Sequence, residues 1–249
     1  MDKLIGRVHS IETFSTLDGP GIRTVIFMQG CHLRCKYCHN PDTWELKSFN
    51  MREYTPLELM DIIRRSKPYF NASGGGITFS GGEPLLHDEF IKYVFSLCQA
   101  ENIATAFDSS LFVNPKSVLN VLPFTDLVLA DIKHMDDDKS RCLTGLGNKM
   151  NLKNLILINQ HEIPIWVRYV VVPGWTDKTN DVREMARFIA KLEMVERVEL
   201  LPYHALGKHK WDLLGYEYEL QGIEPPISSE LESLQAMIAE ICSKPVYMT

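Results

Sequence analysis

Three cysteines fall within eight residues, in the run Cys31-His32-Leu33-Arg34-Cys35-Lys36-Tyr37-Cys38. Thiols gathered this closely suit a soft metal centre, either an iron–sulfur cluster or zinc. Zinc would take His32 or His39 as its fourth ligand, but structural zinc sites usually pair two knuckles across a long insert, and no second knuckle exists here. A 4Fe-4S cluster on three cysteines keeps one iron without a protein ligand, and an open coordination position signals chemistry. Cys98, Cys142 and Cys242 are scattered. Cys98 sits on an apolar helical face and reads as core, and the other two read as non-ligating.

Further groups capable of chemistry follow. Ser80-Gly81-Gly82-Glu83-Pro84 combines glycines, which let backbone approach a ligand, with a carboxylate that could accept from an ammonium. Asp108 and Asp131 each end an apolar run and Lys133 lies two residues on, which gathers carboxylates and an ammonium at one rim. Alone, such aspartates are often helix caps. Arg168 lies inside the apolar run Trp166-Val167-Arg168-Tyr169-Val170. An inward arginine there needs an anion, either a substrate carboxylate or a core Asp or Glu.

The elements that must hold these groups are legible as short β-branched runs alternating with amphipathic segments. The runs are Ile22 to Met28, Ile77 to Ser80, Ile103 to Phe107, Asp126 to Asp131, Ile163 to Val172 and Arg197 to Leu201. Thr55-Pro56-Leu57-Glu58 predicts a helix start with N-cap, N1 proline and capping-box glutamate, and Asn114-Pro115 repeats the cap and proline. Ile91, Val94, Phe95 and Cys98, and later Val182, Met185, Ile189 and Leu192, share single helical faces. A last helix is expected from Ser229 to Cys242, opened by Ser229 and Glu232. Only Leu206 to Pro226 lacks clear periodicity. Six strands alternating with helices predict parallel βαβ units in an open sheet or a full or partial barrel, with the chemistry at the C-terminal ends of the strands.

The 249 residues, 45% hydrophobic and 23% charged, exclude a disordered chain, a coiled coil and a collagen-like fibre. One domain is expected. A net charge of −6 without a long basic run argues against nucleic acid as a main partner. The first ten residues, with Asp2, Lys3, Arg7 and His9, lack the apolar stretch of a signal peptide, and no run approaches membrane-spanning length. A cytoplasmic protein is the expectation.

The cysteine run, with Tyr37 before its third cysteine, resembles the Cys-x3-Cys-x2-Cys motif of the radical S-adenosylmethionine superfamily. The resemblance implies one 4Fe-4S cluster on Cys31, Cys35 and Cys38, and S-adenosylmethionine chelating the open iron and being cleaved reductively to a 5′-deoxyadenosyl radical. It further implies a partial (β/α)6 TIM-like barrel of the α/β class, with a core of about residues 16–205 and a C-terminal extension over 206–249. Gly81-Gly82-Glu83 is similar to the motif that binds the amino group of S-adenosylmethionine. Asp108-Ser109-Ser110-Leu111 and Asp131-Ile132-Lys133 resemble the family's Asp-Thr-Asn-Gly and Asp-x-Lys. By that likeness Tyr37, His39, Asp131, Lys133 and His204 join the cofactor site, while Asp18, Asp108, Ser109 and Asp131 hold a monovalent cation, Na+ or K+. The first of these motifs departs from the family where Thr-Asn-Gly would be expected: Ser109 keeps an oxygen ligand, but Ser110 and Leu111 replace Asn and Gly.

Asp18-Gly19-Pro20-Gly21-Ile22-Arg23, Asn71-Ala72-Ser73-Gly74-Gly75-Gly76 and the run from Leu201 to Trp211 resemble signatures of the glycyl-radical-enzyme activases. Many activases carry a ferredoxin-like insert with further cysteine runs. Its absence between Asn40 and Gly82 favours the branch whose partner is pyruvate formate-lyase. The partner's glycine loop, facing Arg168 and His204, is then the substrate, and a low-potential flavodoxin or ferredoxin the reductant of a monomeric enzyme. The alternatives are activation of a different glycyl radical enzyme and, in another class, a noncatalytic metal-binding regulator.

Overall fold

A computed structural model describes residues 4–49 and 51–249. Asp2 and Lys3 lie outside the described residues. The chain divides into two compact units, Met1–His32 with Thr43–Leu129, and Leu33–Asp42 with Ala130–Thr249.

The first unit contains β1 (Gly6–Ser15), β2 (Arg23–Met28), β3 (Arg52–Tyr54), α1 (Pro56–Arg65), α2 (Lys67–Ser73), β4 (Gly76–Gly81), α3 (Asp88–Ala100), β5 (Ala104–Ser109), α4 (Pro115–Val121) and the start of β6 (Leu127–Asp131). Strand order is β3-β1-β2-β4-β5-β6, with β1 antiparallel to β2 and β3, and β2, β4 and β5 parallel. β2 and β4 are buried along nearly their whole length, as continuous apolar runs in a parallel sheet should be. Ile26, Ile77 and Phe79 of these strands are buried, as are Leu59, Met60 and Ile63 of α1 and Ile91, Val94, Phe95 and Cys98 of α3, and the Phe79 ring meets that of Phe95 at 5.5 Å. Cys98 is core as expected: its Sγ lies 3.7 Å from Met60 Sδ, and burial pushes its thiol up to about 12.

The predicted caps form. Thr55 Oγ1 accepts from Glu58 N–H at 3.3 Å while Glu58 Oε2 accepts from Thr55 N–H at 2.7 Å, and Asn114 Oδ1 accepts from Lys116 N–H at 3.0 Å. The glycines that lead into β4 have separate causes. Gly74 ends α2 at φ +70° with nothing near a notional side chain, whereas a Cβ on Gly75 would lie 1.8 Å from Ile22 O and one on Gly76 2.0 Å from Ala104 O.

The second unit contains the end of β6, α5 (Asp137–Thr144), α6 (Lys149–Gln160), β7 (Ile165–Val171), α7 (Thr179–Ile189), β8 (Val195–Pro202), α8 (Lys208–Leu214), α9 (Ser228–Cys242) and β9 (Val246–Met248). Its strand order is β6-β7-β8-β9, with β7, β8 and β9 parallel. Leu206 to Pro226 is not devoid of structure, because α8 lies within it. The last helix begins at Ser228, not at Ser229 with Glu232. Glu230 Oε2 reaches back to Ile227 N–H at 3.4 Å, half of a capping box, since an isoleucine side chain has no acceptor.

Candidate functional site

In the first unit the chain leaves β2 through Gln29-Gly30-Cys31, and backbone bonds fix this exit. Gly30 N–H donates to Thr43 O at 2.7 Å, and Cys31 N–H donates to Trp44 O at 3.0 Å. The end of β4 docks on the same stretch: Gly82 N–H donates to Met28 O at 3.0 Å and Glu83 N–H to Gly30 O at 2.7 Å. A Cβ on Gly81 would stand 2.4 Å from Met28 N, and one on Gly82 2.3 Å from Gly30 O. Close approach of β2 therefore suffices to require both glycines.

Glu83 is 1% exposed, and its carboxylate is surrounded by donors. Oε1 accepts from Ser109 Oγ at 2.7 Å and Leu85 N–H at 3.2 Å, and Oε2 accepts from Ser110 Oγ at 2.6 Å and Ser110 N–H at 3.1 Å. An ionised carboxylate has about four acceptor sites, so an ammonium that binds Glu83 must displace one of these donors or share an oxygen with it. Burial pushes the Glu83 carboxyl above its usual range, against the pull of the two serine hydroxyls and the two N–H groups.

The loop that departs from the family pattern is thus the loop that grips Glu83. Leu111 is fully buried and adopts φ +58°, the left-handed conformation that the expected glycine would take without strain. Ser109 Oγ accepts from Leu111 N–H at 2.8 Å, which closes the turn. Asp108 Oδ2 accepts from Ser80 Oγ at 2.9 Å.

Asp18 Oδ2 accepts from Ser15 Oγ at 2.5 Å, and Asp18 O accepts from Thr78 Oγ1 at 2.6 Å. Arg23 lies beneath this turn, 1% exposed. It donates through Nε to Thr78 Oγ1 at 2.6 Å, through Nη1 to Pro20 O at 3.4 Å, and through Nη2 to Ile77 O. Burial pulls its guanidinium down to about 10, opposed by Asp126 and Asp18. The last residue of the Asp18-to-Arg23 signature therefore ties the turn to β4, a role the sequence reading did not assign.

In the second unit Cys35 and Tyr37 are buried and Cys38 is half-buried. Cys38 N–H donates to Cys35 O at 3.0 Å, the tight turn that a Cys-x2-Cys spacing allows. Lys133 Nζ pairs with Asp131 Oδ2 at 2.9 Å and lies 5.6 Å from the centre of the Tyr37 ring. Burial pulls the Lys133 ammonium down, but Asp131 and the Tyr37 and Cys35 side chains outweigh it and hold the group above its usual range. The Cys35 thiol is pushed up to about 12 by burial, with Lys133 opposing. The structure thus brings Cys35, Tyr37, Asp131 and Lys133 together.

It also pairs His39 with His204, whose rings stack at 4.2 Å and 30°. Burial lowers the His39 imidazole. Nδ1 of His204 is buried without a hydrogen-bond partner among the described residues.

Arg168 faces a partner that the sequence left unspecified. Its Nε donates to Glu199 Oε2 at 3.0 Å, across the β7–β8 register in which the two residues are opposite. Glu199 is 1% exposed and also takes Arg197 Nη2 at 2.5 Å, while the Arg197 guanidinium lies over the Trp166 ring. Glu199 is the residue of this region that sequence reasoning left unnamed.

The donor chemistry suits an iron–sulfur centre. Among the described residues, which include all six cysteines, none is in a disulfide, and the Lys133 ammonium opposes the cost of ionising the buried Cys35, whose thiolate would suit a soft cation. The orphaned Nδ1 of His204 is a further polar atom that a bound molecule would satisfy. Among the described residues no three His, Cys, Asp or Glu side chains are gathered as for a single metal ion.

Comparison with known proteins adds the following. Residues 25–189 match the radical SAM superfamily. The chain is 44% identical over 238 residues to the pyruvate formate-lyase-activating enzyme of Clostridium pasteurianum, covering 96% of this chain and 99% of that one. It is 40% identical over 246 residues to the pyruvate formate-lyase 1-activating enzyme of Escherichia coli K12, covering 98% and 99%. Among solved structures, Streptococcus suis SuiB bound to its precursor peptide SuiA superposes with a TM-score of 0.70 at 16% identity, over 97% of this chain and 50% of that one. That last likeness is one of fold alone, and it meets the expectation of an α/β radical SAM fold.

Proposed function

Because the chain belongs to the radical S-adenosylmethionine superfamily and, within it, to the pyruvate formate-lyase-activating enzymes, we propose that Cys31, Cys35 and Cys38 hold its 4Fe-4S cluster and that the residues around them bind S-adenosylmethionine. The chain is an oxidoreductase-type enzyme that acts on pyruvate formate-lyase. When bound, the cluster and S-adenosylmethionine supply a 5′-deoxyadenosyl radical that takes a hydrogen atom from one glycine of the partner and leaves a glycyl radical.

Hydrogen-atom transfer moves proton and electron together, so no side chain need act as acid or base. The residues instead orient and shield. Cys35, whose thiol is costly to ionise where it is buried, would hold iron as the thiolate, with Lys133 as the neighbouring positive charge. Tyr37 is buried beside the same ammonium, its ring centre 5.6 Å from Lys133 Nζ. Gly81, Gly82 and Glu83 receive the methionyl amino group, with Ser109 and Ser110 holding the Glu83 carboxylate still. Asp131, Lys133, His39 and His204 complete the cofactor site, with Nδ1 of His204 the unsatisfied atom that supports its inclusion. Asp18, Asp108, Ser109 and Asp131 are the proposed ligands of a monovalent cation.

Arg168, braced by Glu199, and His204 face the glycine loop. A flavodoxin or ferredoxin supplies the electron to a cytoplasmic monomer that uses neither nucleic acid nor a membrane. No helix among the described residues is long and apolar enough to cross one. The observation that carries the reading is the complete three-cysteine motif in a chain of this family. The test is anaerobic reconstitution followed by assay of 5′-deoxyadenosine with and without a chemical reductant, and of the glycyl radical signal on pyruvate formate-lyase. Reductant-dependent product and radical are expected. Zinc without sulfide in the purified protein, or unimpaired cleavage of S-adenosylmethionine by Cys35→Ala, would overturn it.

A further inference from the structure

We propose that the segment after β8, from Tyr203 to Leu220, is a strap that fixes the geometry of Cys38, with Trp211 as its central positioning residue. The proposal rests on the reading that Cys38 is a cluster ligand. Residues 36–42 form no ladder of their own with a strand. Lys36 N–H donates to Leu143 O at 2.9 Å, and over residues 36–42 the segment after β8 adds a series of contacts. The indole Nε1–H of Trp211 donates to Cys38 O at 2.9 Å. Lys210 Nζ donates to Asn40 Oδ1 at 2.8 Å and pairs with Asp42 at 3.2 Å. His39 stacks on His204 and shares a 3.0 Å hydrogen bond between its Nε2 and His204 O. Lys36 pairs with Glu219. Gly207 lets the chain pass so close that a Cβ there would stand 2.7 Å from His39 Cα.

Trp211 is itself anchored. It is 5% exposed, its ring meets Tyr218 edge-on at 5.2 Å, and the Tyr218 hydroxyl shares a 2.8 Å hydrogen bond with that of Tyr203. Tyr203 N–H donates to Val171 O at 3.0 Å, so the series ends on β7. The indole supplies a donor on a flat, rigid frame with only two rotatable bonds. The carbonyl carbon and the Cβ of Cys38 are bonded to one Cα, so holding the carbonyl restrains the backbone from which Cβ leaves the loop and narrows the positions open to Sγ. Strap and loop thereby act on the ligand through the backbone, without a contact to the cluster.

The test uses the full chain, anaerobically reconstituted, in three forms: parent, Trp211→Phe and Gly207→Ala. Phe keeps an aromatic ring beside Tyr218 and removes the N–H together with part of the indole's buried area, and Ala forces the chain off His39. Iron and sulfide per chain, the electron paramagnetic resonance line shape of the reduced cluster, and the rate of iron loss to an added chelator are read at a temperature where circular dichroism shows all three folded. Loss of one neutral hydrogen bond predicts release about fivefold faster from Trp211→Phe, with an altered line shape. A release rate and spectrum identical to those of a cluster-bearing parent would overturn the strap. A parent that holds zinc and no sulfide would instead overturn the reading beneath it.

Discussion

The grip of Ser110 on Glu83 can be measured. Ser110→Ala removes the 2.6 Å hydroxyl bond to Oε2 and leaves that oxygen with Ser110 N–H at 3.1 Å. It also removes the acceptor for Phe112 N–H at 3.3 Å. A hydrogen bond to a charged group is worth about 1.5–3 kcal/mol, and Glu83 is buried deeply enough that water will not replace the lost donor. Burial raises the folded-state carboxyl above its unfolded value of 4.5. The folded form therefore binds the proton more readily, and the stability linked to that proton is present below the unfolded value and is lost as pH rises through the folded one. Removing a donor raises the folded value further, so the variant loses more than the parent on the same rise. Urea unfolding of the apoprotein should show Ser110→Ala weaker by about 1.5–3 kcal/mol at pH 8, with the gap narrowing toward the ~1 kcal/mol of a neutral hydrogen bond as pH falls toward 5. Ser110→Thr, which keeps the hydroxyl, should recover most of the loss. A penalty that is the same at both pH values would refute the reasoning, because the hydroxyl would then not be serving a carboxylate.

Two further perturbations separate packing from function. Leu111→Gly relieves left-handed strain of about 1–3 kcal/mol but empties a fully buried leucine site worth about 2–5 kcal/mol, so the thermal midpoint should fall; a rise would mean that strain dominates. Glu199→Gln leaves Arg168 and Arg197 without their shared anion and should cost about 3–5 kcal/mol of stability by chemical denaturation; unchanged stability with a lower rate of glycyl radical formation would show that Arg168 serves the partner rather than the core.

The reach of the sequence followed the range of the interactions. The buried parallel strands and the capped starts of α1 and α4 were legible because pattern and cap lie within a few residues of each other. β1 was not, since its half-exposed residues show little alternation and its pairing with β2 is interrupted by register shifts. β9, of three residues, and α8, of seven, are too short to display a period. The start of α9 was misplaced because Ile227 offers no side-chain acceptor. In the site, the cysteines, glycines and strand-end aspartates announced themselves by type and spacing. Ser109 on Glu83, Glu199 on Arg168 and Trp211 on Cys38 are partners 26 or more residues away, set by register and loop docking, which one sequence does not display.

The three glycines around the start of β4, Gly74 to Gly76, have a consequence for how this chain can drift. Gly74 is held to its residue type by a dihedral sign alone, in open space, so asparagine is a tolerable neighbour in sequence space. Gly75 and Gly76 are held by volume: the carbonyls of Ile22 and Ala104 occupy the place of any side chain. A library randomised over these codons should therefore return two alphabets, a narrow one at the first position and a single letter at the next two. A run that looks like one flexible hinge is one permissive residue followed by two rigid ones.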